Sequence, residues 1–265
     1  MSITLFRNLD IGVIPPTPGK DYSEPLSTAN TVQASDLILE YAKKYGSPIS
    51  YAQEQNGRLI QDIFPIQKTE TQQISSSSKV DLQLHTETAF HPYKPDNLLL
   101  LCLRGDPDAS TTYALLDEVM TELSADTIDV LTKPWFTTSI DDSFRVNGER
   151  DMHLTLSVLR SKIDLETQKT SYEITYDAAL MQGTNSDAID ALEKLTDAIS
   201  KKVRDVTLDY GDLLVFDNRT MIHGRRAFKP RYDGTDRWLK RVLTIRTTPP
   251  RSHIEGHTIM TKFGK

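Results

Sequence analysis

Three side chains in this sequence have the types and the spacing of metal ligands: His85 and Glu87, two residues apart, and the distant His223. If residues 80–87 form a β-strand, His85 and Glu87 project from one face of it and Thr86 from the other. Imidazole nitrogens and a carboxylate oxygen are suitable ligands for a transition-metal ion. The sequence therefore predicts a metal site formed by His85, Glu87 and His223.

Two histidines and one carboxylate on one face of an octahedral ion leave three positions open, as in non-haem iron(II) oxygenases. A His-x-Glu pair alone also occurs by chance on half-exposed strands, so the flanking residues matter. Residues 80–87 alternate apolar and polar as a half-buried strand does. Residues 211–223 have the pattern of a strand, an Asp217-Asn218 turn and a second strand. Both parts of the predicted site therefore lie on strands.

The composition disfavours several classes of partner. With 31 basic and 37 acidic residues the net charge is −6, which argues against nucleic acid or an anionic membrane and favours a small basic molecule. Cys102 is the only cysteine, so no internal disulfide is expected and a reducing compartment is indicated. The apolar run 98–103 is too short to span a membrane, and no signal segment is recognised at the N-terminus. We expect a cytoplasmic protein, and a homodimer stays open as its assembly.

The pattern of the remaining chain predicts one mainly β domain over residues 1–265. Residues 97–103 suit a strand buried on both faces, and residues 111–116 are expected to pair with it. Helices are predicted over 36–45, capped by Ser35, and over 187–203. The buried stripe of the second helix should consist of Ile189, Leu192, Leu195, Ile199 and Val203.

Many short strands with a few flanking helices favour a double-stranded β-helix, a cupin-like jelly roll of two sheets. A small-molecule site in such a fold lies at the mouth of the barrel. The polar residues 68–79, which include four consecutive serines, are expected to form a mobile surface loop that could cover this mouth. Residues 132–150 are expected to form a lid or insertion.

Residues 85–104, 211–225 and 231–241 together resemble the clavaminate synthase-like branch of the Fe(II)/2-oxoglutarate dioxygenases, in the taurine dioxygenase-like superfamily. The resemblance extends from about residue 35 to about residue 249. The wider superfamily usually has Asp as the carboxylate ligand, and Glu87 is the variant that this branch resembles. Gln182 is a departure, because many relatives have Arg there. The resemblance implies the jelly-roll fold, Fe(II), O2 and 2-oxoglutarate as cosubstrate.

Family positions also imply how 2-oxoglutarate is held. Arg237 has the spacing from His223 of the arginine that binds the C5 carboxylate in this family. A planar guanidinium can make two parallel hydrogen bonds to a carboxylate, which Lys cannot. Thr112 matches the threonine that assists, although Thr111 could substitute for it. The alternative for Arg237 is a surface cation, since strand arginines are mostly exposed.

The resemblance assigns the substrate contacts to Arg241, Asp177, Gln55 and Glu87. Arg241 would hold the substrate carboxylate, and Glu87 would accept a bond from the α-amine through its non-ligating oxygen. Asp177 matches a position that is acidic in relatives acting on basic amino acids, where it could pair with the cationic end of the substrate. Arg241 could instead be a surface cation and Asp177 a cap or turn residue. Gln55 is a further contact by the same resemblance.

The function implied by this resemblance is hydroxylation of an unactivated C3 or C4 methylene of a free basic L-amino acid, with arginine and lysine as first candidates. This reaction would be coupled to decarboxylation of 2-oxoglutarate to succinate and CO2. Desaturation or cyclisation in natural-product biosynthesis is an alternative use of the same oxidant. Halogenation is disfavoured, because Glu87 occupies the position that chloride would need. A catalytically silent jelly-roll binding protein is an alternative of a different class.

Overall fold

The computed structural model describes residues 2–19, 31–141, 144 and 154–260. Its helices are α1 (Val32–Lys43), α2 (Leu116–Met120), α3 (Ala125–Leu131) and α4 (Ser186–Lys202). Its strands are β1 (Ile3–Phe6), β2 (Ser47–Tyr51), β3 (Gln61–Ile63), β4 (Leu82–His85), β5 (Asn97–Arg104), β6 (Thr111–Leu115), β7 (Phe136–Thr138), β8 (Leu154–Leu156), β9 (Leu159–Ile163), β10 (Thr170–Ile174), β11 (Met181–Gly183), β12 (Arg204–Val206), β13 (Leu213–Asp217), β14 (Met221–Arg225), β15 (Trp238–Ile245), β16 (Ile254–Glu255) and β17 (Thr258–Ile259). Much of the predicted lid, residues 142–143 and 145–150, lies outside the described residues.

Two sheets enclose the main core. The larger sheet has the order β1-β13-β5-β15-β2-β17-β16, with β3 also paired to β15, and the smaller has the order β12-β6-β14-β4. Inward-facing residues of the larger sheet, such as Leu100 and Leu239, share one apolar cluster with Met221 and Tyr113 of the smaller sheet. This arrangement of two sheets around one core is the predicted jelly roll.

Helices cover the outer faces of both sheets. Ile38 of α1 packs in one cluster with Leu99 and Leu101 on the outside of the larger sheet. Leu195 of α4 packs with Ile222 on the outside of the smaller sheet, together with residues of α2 and α3. Because alternate residues of β5 enter different clusters, this strand is buried on both faces, as its continuous apolar sequence predicts.

The predicted pairing of residues 111–116 with residues 97–103 is wrong. β6 pairs with β12 and β14 in the smaller sheet, whereas β5 lies between β13 and β15 in the larger one. A turn at Asp106, whose backbone oxygen accepts from Ala109 N and whose side chain accepts from Asp108 N, separates the two strands. The short connection therefore carries the chain across the sandwich rather than into a hairpin.

Both long helices differ in detail from their predictions. α1 begins at Val32, and Ser35 lies inside it with its hydroxyl donating to the Thr31 carbonyl, so Ser35 is not the cap. α4 begins after Asn185, whose side chain caps Ala188 N. Ile189 is 48% exposed, although the apolar stripe predicted it to be buried. Small residues form much of the buried face of α4 instead: Ala188, Ala191 and Ala198 beside Leu195 and Ile199.

The polar stretch 68–79 is less exposed than predicted. Ser76, Ser77 and Ser78 are all buried, and Ser78 N donates to the Glu70 carbonyl while its own carbonyl accepts from Phe228 N. These backbone hydrogen bonds compensate for the burial of the Ser78 backbone, whereas its hydroxyl has no hydrogen-bond partner among the described residues. Among the described helices, none is long and apolar enough to cross a membrane.

Candidate metal centre and its pocket

The three predicted ligands converge at one end of the smaller sheet. β4 and β14 are antiparallel neighbours, and His85 lies directly opposite His223, so both rings project from the same face. Their ring centroids are 4.5 Å apart. One ligand atom from each of His85, Glu87 and His223 lies within 4.8 Å of the others, which leaves room for a single ion with bonds of about 2 Å.

Glu87 reaches this position from beyond the strand, because β4 ends at His85. The side chain of Asn218 holds the Glu87 backbone: its Oδ1 accepts from Glu87 N at 2.7 Å and its Nδ2 donates to Glu87 O at 3.1 Å. Thr88 follows with a φ of 48°, which is strained for a β-branched residue. Thr86 points away, as predicted, and bonds to the Tyr176 backbone. Asn218 was predicted only as a turn residue, so its contribution here is new.

The electrostatics of the site suit a divalent ion. Burial and the neighbouring His85 lower the pKa of His223 to about 4, so its imidazole is neutral at pH 7. Burial alone would raise the pKa of Glu87, but the Arg241 guanidinium and the two histidines hold it well below its usual range. His85 Nδ1 lies 2.7 Å from the Gln83 carbonyl, so a proton on Nδ1 leaves Nε2 for a metal. Neutral imidazoles and an ionised carboxylate are the state that metal binding requires.

Arg241 is buried beside Glu87 in a polar network. Its Nη1 donates to Glu87 Oε1 at 2.9 Å and its Nε to Gln61 Oε1 at 2.7 Å, and Nη2 contacts Glu54. Gln61 lies directly opposite Arg241 in the β3–β15 pairing, which explains why the two side chains meet. The predicted surface-cation alternative for Arg241 is therefore excluded. Glu54 and Gln61 were not predicted: the pairing of two distant strands identifies Gln61, and the contact with Arg241 identifies Glu54.

Gln55 does not line this pocket, although the sequence comparison suggested it as a substrate contact. Its φ of 44° and that of Asn56, 57°, place it in a tight turn, with Nε2 donating to the Asp62 carbonyl at 3.2 Å. Its Oε1 is buried without a hydrogen-bond partner among the described residues. The preceding residue, Glu54, lines the pocket in its place.

Arg237 and Thr111 line the same pocket. Arg237 is 7% exposed, which excludes the surface-cation alternative, and its Nη2 donates to Thr111 Oγ1 at 3.3 Å. Thr112 was the preferred candidate for this contact, but its hydroxyl lies close to Gly224 and only Thr111 lines the pocket. Neighbouring strand residues point to opposite faces, so an error of one position changes which side chain reaches Arg237.

Asp177 lies next to the metal ligands. It forms an isolated antiparallel bridge with His85 and lines the pocket, half-buried. Its Oδ1 accepts from Ala179 N at 2.8 Å and from Leu180 N at 3.0 Å, which is the turn function that was the alternative to substrate binding. The two functions are compatible, because a carboxylate has a second oxygen and further lone pairs.

Segments outside the two sheets complete the pocket. Gln73, Ile74 and Ser75 line it from the stretch 68–79, and Asp141 and Phe144 line it from the predicted lid. Both segments therefore contribute to the walls, as their predicted positions near the mouth require. Their mobility stays a prediction.

Known proteins share both the sequence pattern and the fold of this chain. The profile of the family described as "Taurine catabolism dioxygenase TauD, TfdA family" matches residues 23–243. L-lysine 3-hydroxylase of Catenulispora acidiphila is 34% identical over 254 residues, which cover 94% of this chain and 69% of that protein. L-asparagine oxygenase of Streptomyces coelicolor is 32% identical over 234 residues, covering 88% of this chain and 67% of that protein.

Among solved structures, the non-heme iron oxygenase OrfP in complex with Fe, succinate and (3S)-hydroxy-L-Arg superposes with a TM-score of 0.84. The two chains are 30% identical, and the match covers 99% of this chain and 82% of OrfP. The predicted jelly-roll fold and the predicted resemblance are thereby confirmed.

Proposed function

Because the chain belongs to the taurine catabolism dioxygenase TauD, TfdA family, we propose that it hydroxylates an unactivated C3 or C4 methylene of a free basic L-amino acid. The chain is an Fe(II)/2-oxoglutarate-dependent dioxygenase, and the reaction is coupled to decarboxylation of 2-oxoglutarate to succinate and CO2. One observation carries the proposal: His85, Glu87 and His223 converge in a pocket that is also lined by buried arginines and by further carboxylates.

The residues of the triad would hold Fe(II) through Nε2 of His85, one oxygen of Glu87 and the ring of His223. When bound, the metal supplies the activation of oxygen that attack on an unactivated C–H bond requires. The protein selects which carbon is attacked, because an error of about an ångström in substrate position is enough to redirect or prevent the reaction. The shape of the pocket walls is therefore part of the specificity.

Arg237 and Thr111 would bind the C5 carboxylate of 2-oxoglutarate. Thr111 lies two residues along β6 from Tyr113, which is directly opposite His223. Two strand residues span about 7 Å, a distance on the scale of an extended five-carbon diacid. The buried guanidinium would then meet one carboxylate while the other end of the same molecule lies at the metal ligands.

The network around Arg241 would bind the zwitterionic end of an amino acid. A free amino acid carries an α-carboxylate and an α-ammonium on the same carbon, so it needs a cation and an anion side by side. Arg241 supplies the cation, and Glu87 and Glu54 supply carboxylates within hydrogen-bonding contact of it. Burial strengthens these electrostatic interactions relative to water. This pairing favours a free amino acid over a simple carboxylic acid.

Asp177 would pair with the cationic end of a basic side chain. Its carboxylate accepts hydrogen bonds from the backbone N–H groups of Ala179 and Leu180, and no basic side chain among the described residues pairs with it. A basic substrate is supported by the lysine 3-hydroxylase relative and by the hydroxy-arginine in the OrfP complex. The L-asparagine oxygenase relative supports the alternative, a neutral amino acid as substrate. Cytoplasmic location and a homodimer stay predictions.

A panel of the standard L-amino acids tests this function. Each is incubated with Fe(II), 2-oxoglutarate and O2, and succinate formation is measured together with the mass of the amino acid. The expected result is succinate coupled to a gain of one oxygen atom for lysine or arginine. Loss of two hydrogens instead would indicate desaturation or cyclisation. Succinate without any amino-acid product would refute the substrate proposal and leave the enzyme class intact.

A second measurement distinguishes the enzyme from a silent binding protein. Anaerobic addition of Fe(II) and 2-oxoglutarate should produce a weak visible charge-transfer absorption, because the cosubstrate chelates the metal. A protein that merely binds metal would give no such band on addition of 2-oxoglutarate.

A further inference from the structure

Two buried arginines line the pocket, and neither has a carboxylate partner in the part of the chain that the structure describes. Arg225, at the end of β14, is 4% exposed, and Arg237 is 7% exposed. Among the described residues, neither guanidinium forms an ion pair with a carboxylate. Removing a charge from water is strongly unfavourable unless an opposite charge compensates for it. The arrangement therefore indicates that an anion occupies this part of the pocket in the working protein.

Thr111 links the two arginines. It lies directly opposite Arg225 in the β6–β14 pairing, so the two side chains leave the same face of the smaller sheet. The hydroxyl of Thr111 also accepts from Arg237 Nη2. All three residues line the pocket that contains the metal ligands. Arg225 on β14 and Arg237, the residue before β15, thus approach the same part of the pocket beside Thr111.

The hydrogen bonds of Arg225 hold its guanidinium without using all of its donors. Nη2 donates to Ser77 Oγ at 2.8 Å and to the Val80 carbonyl at 3.3 Å, and Nη1 donates weakly to the Arg226 carbonyl at 3.4 Å. Its Nε is buried and has no hydrogen-bond partner among the described residues. A buried N–H of a charged group without an acceptor is rare in folded proteins. A ligand acceptor would satisfy it.

The charge on both arginines persists at neutral pH. A guanidinium group keeps its proton in proteins, so both side chains are cationic. Both guanidinium groups are therefore protonated at pH 7, and they repel each other across the pocket. An anion between them would relieve this repulsion.

We propose that Arg225 is a second cation of the subsite that binds the C5 carboxylate of 2-oxoglutarate, acting beside Arg237 and Thr111. The inference rests on the proposed function, since it assigns the anion to the cosubstrate. It also explains why three consecutive serines of the stretch 68–79 are buried: Ser77 orients Arg225 toward the subsite. The competing explanation is that Arg225 has a structural function alone and stabilises the packing of this stretch against β14.

Binding of two matched ligands separates these explanations. 2-Oxoglutarate and 2-oxopentanoate have the same chain length and the same metal-chelating end, but 2-oxopentanoate has a methyl group in place of the C5 carboxylate. Their affinities for the Fe(II)-loaded protein are measured by anaerobic calorimetry for the wild type, Arg225→Gln and Arg225→Lys. Ser77→Ala removes the contact with the loop and keeps the charge. Arg226→Gln removes the neighbouring charge at an exposed position where Arg226 pairs with Asp205.

Arg225→Gln should weaken 2-oxoglutarate binding about tenfold or more, as expected for loss of a charged hydrogen-bonding group, and leave 2-oxopentanoate binding unchanged. Arg225→Lys should give an intermediate loss, because it keeps the charge but not the planar fork. Arg226→Gln should bind both ligands as the wild type does.

Equal losses for both ligands in Arg225→Gln, reproduced by Ser77→Ala, would show a purely structural function and overturn the inference. Unchanged affinities in both Arg225 variants would also overturn it. A wild-type protein that binds neither ligand would contradict the proposed function itself, so the two failures are distinguishable. If Arg225→Gln does not fold, the affinities of Arg225→Lys for the two ligands distinguish a binding function of Arg225 from a structural one.

Discussion

Arg241 Nη1 donates to Glu87 Oε1 at 2.9 Å, while the other oxygen of that carboxylate, Oε2, lies 3.5 Å from Nε2 of His223. One carboxylate therefore faces a fixed cation on one side and the predicted metal ligands on the other. Hydrogen bonds to a ligating carboxylate orient it and adjust its basicity, and their loss typically weakens metal binding. Arg241 thus connects the metal site to the substrate network.

Replacing Arg241 should make metal binding more sensitive to acid. After the opposing effect of burial, Arg241 is the main cause of the low pKa of Glu87, so Arg241→Gln raises that pKa. A proton then competes with the metal at higher pH than in the wild type. Metal affinity titrated from pH 8 to pH 5 should decline earlier in the variant. Arg246→Gln is the control, because Arg246 lies just after β15, is exposed and pairs with Asp217. Superimposable pH curves for Arg241→Gln and the wild type would contradict this function of Arg241.

Removing the side chain of Asn218 should destabilise the turn that carries Glu87. The change to Ala leaves Glu87 N and O and the Pro95 carbonyl without their partner in a buried region. We expect a loss of about 2–3 kcal/mol in the free energy of unfolding of the metal-free protein. Metal affinity should fall about 10–100-fold, since Asn218 orients a ligand. Urea unfolding and metal titration measure the two effects.

Asn218→Asp is the matched variant for this prediction. It keeps an oxygen that can accept from Glu87 N but loses the amide that donates to two carbonyls. It also places a buried negative charge against these carbonyls, so it should be at least as unstable as Asn218→Ala. Unchanged metal affinity in both variants would limit Asn218 to supporting the fold.

The local pattern of apolar and polar residues was sufficient to predict much of the site. The alternation of residues 80–87 and the two strands of residues 211–223 predicted where His85 and His223 lie, because each depends on neighbours in sequence. β5 was likewise predictable, because a continuous apolar run is typical of a strand buried on both faces. Arg237 required family knowledge, since nothing in its own surroundings distinguishes a buried arginine from an exposed one.

Contacts between distant strands were not predictable in this way. Gln61 reaches Arg241 only because β3 pairs with β15, and the choice between Thr111 and Thr112 depends on the register of β6. A register error of one residue reverses every side chain on a strand. The positive φ angles of Gln55 and Asn56 are a local feature, but they redirect the chain so that Glu54 lines the pocket.

Asp177→Asn tests the contribution of this carboxylate to substrate recognition with little effect on the turn. The amide oxygen can still accept from Ala179 N and Leu180 N, while the negative charge is lost. For lysine or arginine, kcat/KM should fall about 10–100-fold, as expected for a hydrogen bond to a charged group. Affinity for 2-oxoglutarate should not change. Asp187→Asn in the exposed first turn of α4 is the control. Wild-type kcat/KM in Asp177→Asn would show that Asp177 is a turn residue alone.

His91 should make the protein sensitive to mild acid independently of the metal site. Burial lowers the pKa of His91 from 6.5 to about 3, and its Nδ1 accepts from Tyr93 N, as only a neutral ring can. The unfolded chain therefore binds this proton at higher pH than the folded protein. The resulting stability is fully present above about pH 6.5 and decreases as the pH falls toward 3, by about 3 kcal/mol at pH 4.

His91→Asn isolates this contribution, because Asn keeps an acceptor for Tyr93 N and does not titrate. At pH 7 the variant should be less stable than the wild type by about 1–3 kcal/mol, since the ring packs against Tyr51 and Phe144. The difference between the two proteins should shrink as the pH falls to 4, because only the wild type loses stability through residue 91. Urea unfolding at several pH values measures it, with the same substitution at the exposed His257 as the control. A difference that stays constant with pH would show that His91 is not the titrating group.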